Sequence, residues 1–144
     1  MTVRVLNFSD LKKSLDETSV QPLDVLVKKS GKVYVVAVTR EKCPDCEKQE
    51  PLFEKLSDRM KKKYGEQVEF SRVHSSYGQG REEEAKQCLD SFHTVAFPTY
   101  ILVIKDGEGG NRETYRSLEP PMSEIERNIK TSVEIVSSFK SRKK

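Results

Sequence analysis

Hydrophobic positions along this chain change period several times, and each change predicts an element. Thr2 to Leu6 alternates polar and apolar side chains, as a strand does. Phe8 to Leu15 reads as a short helix, with Phe8, Leu11 and Leu15 on one face and Ser9 as its N-cap. Pro22 opens a second short helix carrying Leu23, Leu26 and Val27, which Gly31 ends. Val33-Tyr34-Val35-Val36-Ala37-Val38 does not alternate at all. A continuous β-branched run of this kind predicts a strand buried on both faces, in the middle of an α/β sheet.

A helical pattern follows to about Tyr64, with Leu52, Phe53, Leu56 and Met60 as its apolar stripe and Gly65 as its C-cap. Val68 to Val73 reads as a strand, His74 to Gly80 as a loop, and Arg81 to Ser91 as a helix with an acidic first turn at Glu82, Glu83 and Glu84. Pro98 precedes a strand from Thr99 to Ile104. Asp106-Gly107 begins a hairpin turn, and Asn111 to Leu118 returns as a more polar strand. Pro120 and Pro121 break the chain. Ser123-x-x-Glu126 reads as a capping box for a last helix, whose face is Ile125, Ile129, Val133 and Val136. The order β-α-(α)-β-α-β-α-β-β-α predicts an α/β fold. Its central mixed sheet has a parallel part and a terminal antiparallel hairpin, with helices on both faces.

Composition changes this picture little. The chain has 144 residues and no evident repeat, so one domain over 1–139 is expected. The basic end Lys140-Ser141-Arg142-Lys143-Lys144 reads as a frayed, solvated tail. A net charge of +3 is too small to argue nucleic-acid binding. Charged residues make up 34% of the chain, against about 25% in ordinary soluble proteins, which implies a well-solvated surface. The N-terminus lacks an apolar run of signal-peptide length, and Val33 to Val38 is far too short to cross a membrane. A cytoplasmic monomer is expected.

Chemistry enters at Cys43-Pro44-Asp45-Cys46, between the buried strand and the long helix. There the first sulfur lies over unpaired backbone N–H groups and the positive end of the helix dipole, which favours thiolate. The second is one helical turn on, within reach of a mixed disulfide. Arg40 and Lys42 favour the thiolate of Cys43, and Asp45 opposes it. Cys46 is expected to be the less exposed of the pair. Three cysteines make an odd count, which argues against a framework of structural disulfides. The same spacing also supplies half of a zinc site, which Cys88 and His93 could complete. Against this, Ala85, Cys88, Leu89 and Phe92 fall on one helical face, where a free cysteine packs as a small hydrophobe. His74 and His93 read as loop or strand-end residues rather than catalysts.

Taken with Pro51, five residues after Cys46, and with Val95-Ala96-Phe97-Pro98-Thr99 before the hairpin strand, the cysteine motif resembles the thioredoxin superfamily over roughly Val3 to Phe139. The resemblance implies a thioredoxin fold and a thiol–disulfide oxidoreductase acting on protein disulfides, as a reductant. In that reading Cys43 is the nucleophile and Cys46 the resolving thiol. Pro44, Asp45, Phe97 and Pro98 form the substrate groove, and the Phe97–Pro98 bond is cis. No metal or organic cofactor is implied. The partners are disulfide-containing proteins and an upstream reductant or reductase. Three departures stand out. Lys42 occupies the place of the family's Trp, Ala37 that of its buried Asp, and the central dipeptide is Pro-Asp. The leading proline is closer to glutaredoxins, but Gly109-Gly110 lies in the hairpin turn and not after the last strand, so glutathione use is not expected. A non-catalytic interaction module using the same groove is the other reading.

Overall fold

The continuous β-branched run becomes the middle of the sheet. β2 (Val33–Arg40) is flanked by β3 (Val68–Ser75) and β4 (Thr99–Lys105), and seven of its eight residues are buried. These assignments come from a computed structural model that describes residues 2–18, 21–78, 80, 82–105 and 110–142. β1 (Val3–Asn7) pairs parallel with the far side of β3, and β5 (Asn111–Leu118) pairs antiparallel with β4. The five strands run in the order β1-β3-β2-β4-β5, with β1, β3 and β2 parallel and β4 antiparallel to β2.

Strand side chains point to alternate faces, so the run supplies two cores at once. Val33, Val35 and Ala37 face α3 (Pro44–Tyr64) and α5 (Met122–Arg142), where they meet Phe53, Leu56 and Ile129. Tyr34, Val36 and Val38 face the other way. There α1 (Phe8–Thr18), α2 (Pro22–Leu26) and α4 (Glu82–Ser91) bring Phe8, Leu26 and Cys88, with Phe92 just past the end of α4. Each fully buried side chain of this size contributes about 1.5–3 kcal/mol relative to exposure. The two faces therefore lock the ends of β2, β3 and β4 in register. Val38 stands opposite both Val73 and Thr99, which puts the C-terminal ends of β2 and β3 at the same sheet margin as the start of β4.

Several local expectations are corrected. Leu52 is exposed while its neighbour Phe53 is buried, because adjacent helical positions diverge by about 100° and only one can face the sheet. The buried stripe of α3 continues instead through Gln49 and Cys46. α1 begins at Phe8, so Ser9 lies inside its first turn. α5 begins at Met122, so Ser123 is already helical; the Pro121 carbonyl accepts from Glu124 N–H, and Glu126 pairs with Arg59 at 2.7 Å. α2 is closed at Val27, four residues before Gly31. β3 runs on through His74 and Ser75, whose backbones pair with Thr39 and Arg40. α5 takes in residues 140–142 of the basic end, and 143–144 lie outside the described residues. Arg81 and the hairpin turn at Asp106-Gly107 and Gly109 are outside them too. Gly65 does cap α3, at φ +62°, a backbone angle that side-chain-bearing residues rarely adopt.

Candidate redox site

Where β2 leaves the sheet, a two-residue turn delivers the chain to the start of α3. Arg40 holds that turn from outside. Its Nη1 donates to the carbonyls of Glu41 and Lys42, at 2.8 and 2.9 Å, and its guanidinium lies 3.9 Å from the Tyr77 ring centre. Lys42 takes a left-handed backbone conformation, φ +53°, and its side chain lies against Gly78. A Cβ there would meet Lys42 Nζ at 2.6 Å. The turn is thus fixed from β2 and from the loop after β3.

Cys43 is the N-cap of α3, and its Sγ accepts the Cys46 N–H at 3.2 Å. That N–H is one of the helix's orphan donors, and at a thiolate it would become a charge-assisted bond. Pro44 follows at the first helical position, where a missing N–H leaves nothing unsatisfied. Asp45 and Glu47 place carboxylates in the first turn, Asp45 exposed. Cys43 and Cys46 are joined by a disulfide, with Cα atoms 5.2 Å apart, and Cys88 remains a buried thiol. The two bonded cysteines are equally buried, 4% exposed each, so Cys46 is not the more hidden one. Each sulfur covers part of the other. Pro51 lies inside the helix, where it removes the N–H that would have bonded the Glu47 carbonyl.

The second wall is the segment before β4. Phe97–Pro98 is a cis peptide bond, and Thr99 Oγ1 folds the segment back by donating to the Ala96 carbonyl at 2.7 Å. Pro98 is buried, one residue before the Thr99–Val38 pair, at the sheet margin from which Cys43 departs. Its carbonyl accepts the Glu119 N–H at 3.1 Å. Phe97 is half-buried, with its ring centre 5.9 Å from the Arg40 guanidinium. Between this segment and α4 lies a groove of about 380 Å³, bounded by Arg40, Tyr77, Ala85, Leu89, Val95 and Phe97.

The other cysteine and the histidines stand apart. Cys88 faces the core from α4, bonded to Ser75, and burial pushes its thiol up to about 12. Among the described residues, no three His, Cys, Asp or Glu side chains converge as a metal site requires. His74 Nδ1 bonds Thr39 Oγ1 at 2.8 Å, and burial together with the Arg72 charge lowers its pKa. His93 is exposed. Ala37 is flanked in register by Arg72 and Tyr100, and Arg72 pairs with Glu50 of α3 at 3.0 Å. Sequence reasoning passed over Gln49, Glu50, Arg72 and Glu119. For Gln49 a signal existed. It follows Cys46 by three residues and precedes Phe53 by four, so it belongs to their face.

A five-stranded mixed sheet with helices on both faces, and a Cys-x-x-Cys pair opening the helix after the central strand, is the thioredoxin fold. Solved structures agree. Thioredoxin NaTrxh from Nicotiana alata superposes with a TM-score of 0.58 at 22% identity, over 90% of this chain and 91% of that one. A thioredoxin of Malassezia sympodialis gives 0.57 at 21%, over 91% and 90%. A thioredoxin f2, solved in complex with ferredoxin:thioredoxin reductase, gives 0.56 at 13%, over 91% and 94%. No protein-family model matches the sequence, and no curated protein matches it. Among the described residues, no helix is long and apolar enough to cross a membrane.

Proposed function

We propose that the protein is a thiol–disulfide oxidoreductase that reduces disulfides in protein substrates through Cys43 and Cys46. The observation that carries this reading is the Cys46 N–H pointing at Cys43 Sγ across the start of α3. The Cys43 thiolate attacks one sulfur of a substrate disulfide. A Cys43–substrate bond forms, and the other substrate sulfur leaves and takes up a proton. Cys46, deprotonated as it attacks, then bonds to Cys43 Sγ and releases the second substrate sulfur as a thiol. The product is the Cys43–Cys46 disulfide. Two electrons must return for another turnover, from an upstream dithiol or a reductase. The likeness to a thioredoxin f2 solved with its reductase supports a partner of that class. Pro44, Asp45, Phe97 and Pro98 line the substrate side, where extended substrate backbone meets Phe97. A reducing compartment such as the cytoplasm suits a chain with an odd, core-packed third cysteine.

Ala37 and Lys42 favour a second reading, an interaction module that holds partners without turning them over. Insulin reduction driven by dithiothreitol separates the two. The oxidoreductase accelerates precipitation of the insulin B chain well above the dithiol alone; a rate no faster than dithiothreitol alone selects the module.

A further inference from the structure

Gln49 is the polar exception in the buried stripe of α3, only 8% exposed. Its Nε2 donates to the Pro120 carbonyl at 2.9 Å. That bond settles the orientation of the amide, because a carbonyl accepts from NH2 and repels an oxygen. Oε1 therefore faces away from Pro120. It is buried, and it has no hydrogen-bond partner among the described residues. An acceptor so enclosed is unfavourable unless a donor reaches it.

The position suggests which donor. Helical side chains lean toward the N-terminus, so the Gln49 arm covers the turn that carries Cys46. Positions three apart have Cβ atoms about 5–6 Å from each other. In the disulfide, Cys46 has no proton to offer. Reduction by a dithiol breaks the Cys43–Cys46 bond and oxidises the dithiol to its own disulfide. One proton stays on the protein dithiol and one goes to solvent. Cys43 Sγ, with the Cys46 N–H and the helix N-terminus beside it, is the better thiolate, so the proton remains on Cys46.

We propose that Gln49 Oε1 accepts the Cys46 S–H of the reduced protein. The same amide holds α3 to Pro120 through Nε2, and Glu119, next in chain, holds the Pro98 carbonyl. Gln49 is thus a positioning residue that binds the resolving thiol only after reduction. The inference rests on reading Cys43 and Cys46 as a cycling couple.

Raman spectroscopy of the S–H stretch in the full chain tests it. Cys43→Ala, treated with tris(2-carboxyethyl)phosphine, leaves Cys46 and Cys88 as the only S–H groups. The Cys46 band is expected at the lowered frequency of a bonded thiol. Adding Gln49→Leu should return it to the unbonded frequency and leave the Cys88 band unmoved. In dithiothreitol redox buffers, Gln49→Leu on the otherwise native chain should shift the couple about threefold toward disulfide, the size of a weak hydrogen bond. A Cys46 band at the unbonded frequency with Gln49 present overturns the proposal, even if the leucine variant does not fold. An unshifted redox equilibrium in that variant overturns it too. A lowered Cys46 band in a chain that never exchanges with dithiothreitol supports the contact and sinks the oxidoreductase reading instead.

Discussion

Cys43 at the start of α3 and Cys88 on the inner face of α4 are hidden almost equally, 4% and 0% exposed, yet their surroundings differ in kind. Cys43 receives a backbone N–H, and its neighbours Arg40 and Lys42 are cations. Cys88 sits among Val36, Phe92 and Ile101, with the hydroxyl of Ser75 as its polar contact. For Cys88 desolvation is the largest influence, and it pushes the thiol up to about 12. For Cys43 the orphan donors of a helix N-terminus oppose desolvation. Position along a helix, rather than exposure, is therefore what sets the surroundings of the two sulfurs apart.

The largest effect should come from exchanging the roles. Cys43→Ser should reduce insulin-reduction activity to the rate of dithiothreitol alone, while Cys88→Ala should keep turnover within about twofold of the parent and destabilise the fold by about 1 kcal/mol. Turnover lost in the second variant at unchanged secondary structure would break the comparison. Next, Cys46→Ser should accumulate a covalent Cys43–substrate species on non-reducing gels, because attack proceeds and resolution does not. Full turnover in that variant would mean that another group resolves the intermediate.

Native alkylation sharpens the contrast further. At pH 8, reduced protein should take up iodoacetamide first at Cys43, and Cys88 should stay unlabelled until the chain is unfolded. A thiol pushed up to about 12 carries almost no thiolate at that pH, and the thiolate is the form that reacts. Peptide mapping decides between the sites. The smallest effect belongs to Asp45→Asn. Removing a carboxylate from the first turn should move the Cys43 alkylation midpoint to lower pH, by less than about one unit because Asp45 is exposed. A midpoint that stays in place would show the carboxylate screened by water.

Much of this architecture was legible because its signals are local. The β-branched run from Val33, the helical face from Ile125 to Val136 and the cysteine pair each declare themselves within a few residues. What escaped is built across strands and loops. Nothing near Gln49 names Pro120, 71 residues on, as its partner. Arg72 meets Glu50 only because β3 packs under α3, and Glu119 finds the Pro98 carbonyl only once β4 and β5 are paired. Leu52 misled because apolar neighbours in sequence carry no mark of which one turns inward. The helix starts at Phe8 and Met122 lie two residues before those that N-caps at Ser9 and Ser123 imply, because the cap preference of a serine is weak beside the packing that sets where a helix begins.

β5 forms one margin of the sheet, and it is the most polar of the five strands, with Arg112, Glu113 and Arg116 along it. A register irregularity near Leu102 and Val103 interrupts its ladder with β4. Charged side chains and uneven pairing make a margin a poor template for a foreign strand. On the proposed reading, a protein that acts on disulfide-containing chains would meet half-folded segments with unpaired strands. Its own outer strand must not recruit them into fibrous stacks. A rough, charged β5 offers such segments little to pair with on that side, so the molecule should stay dispersed where unfolded chains clump.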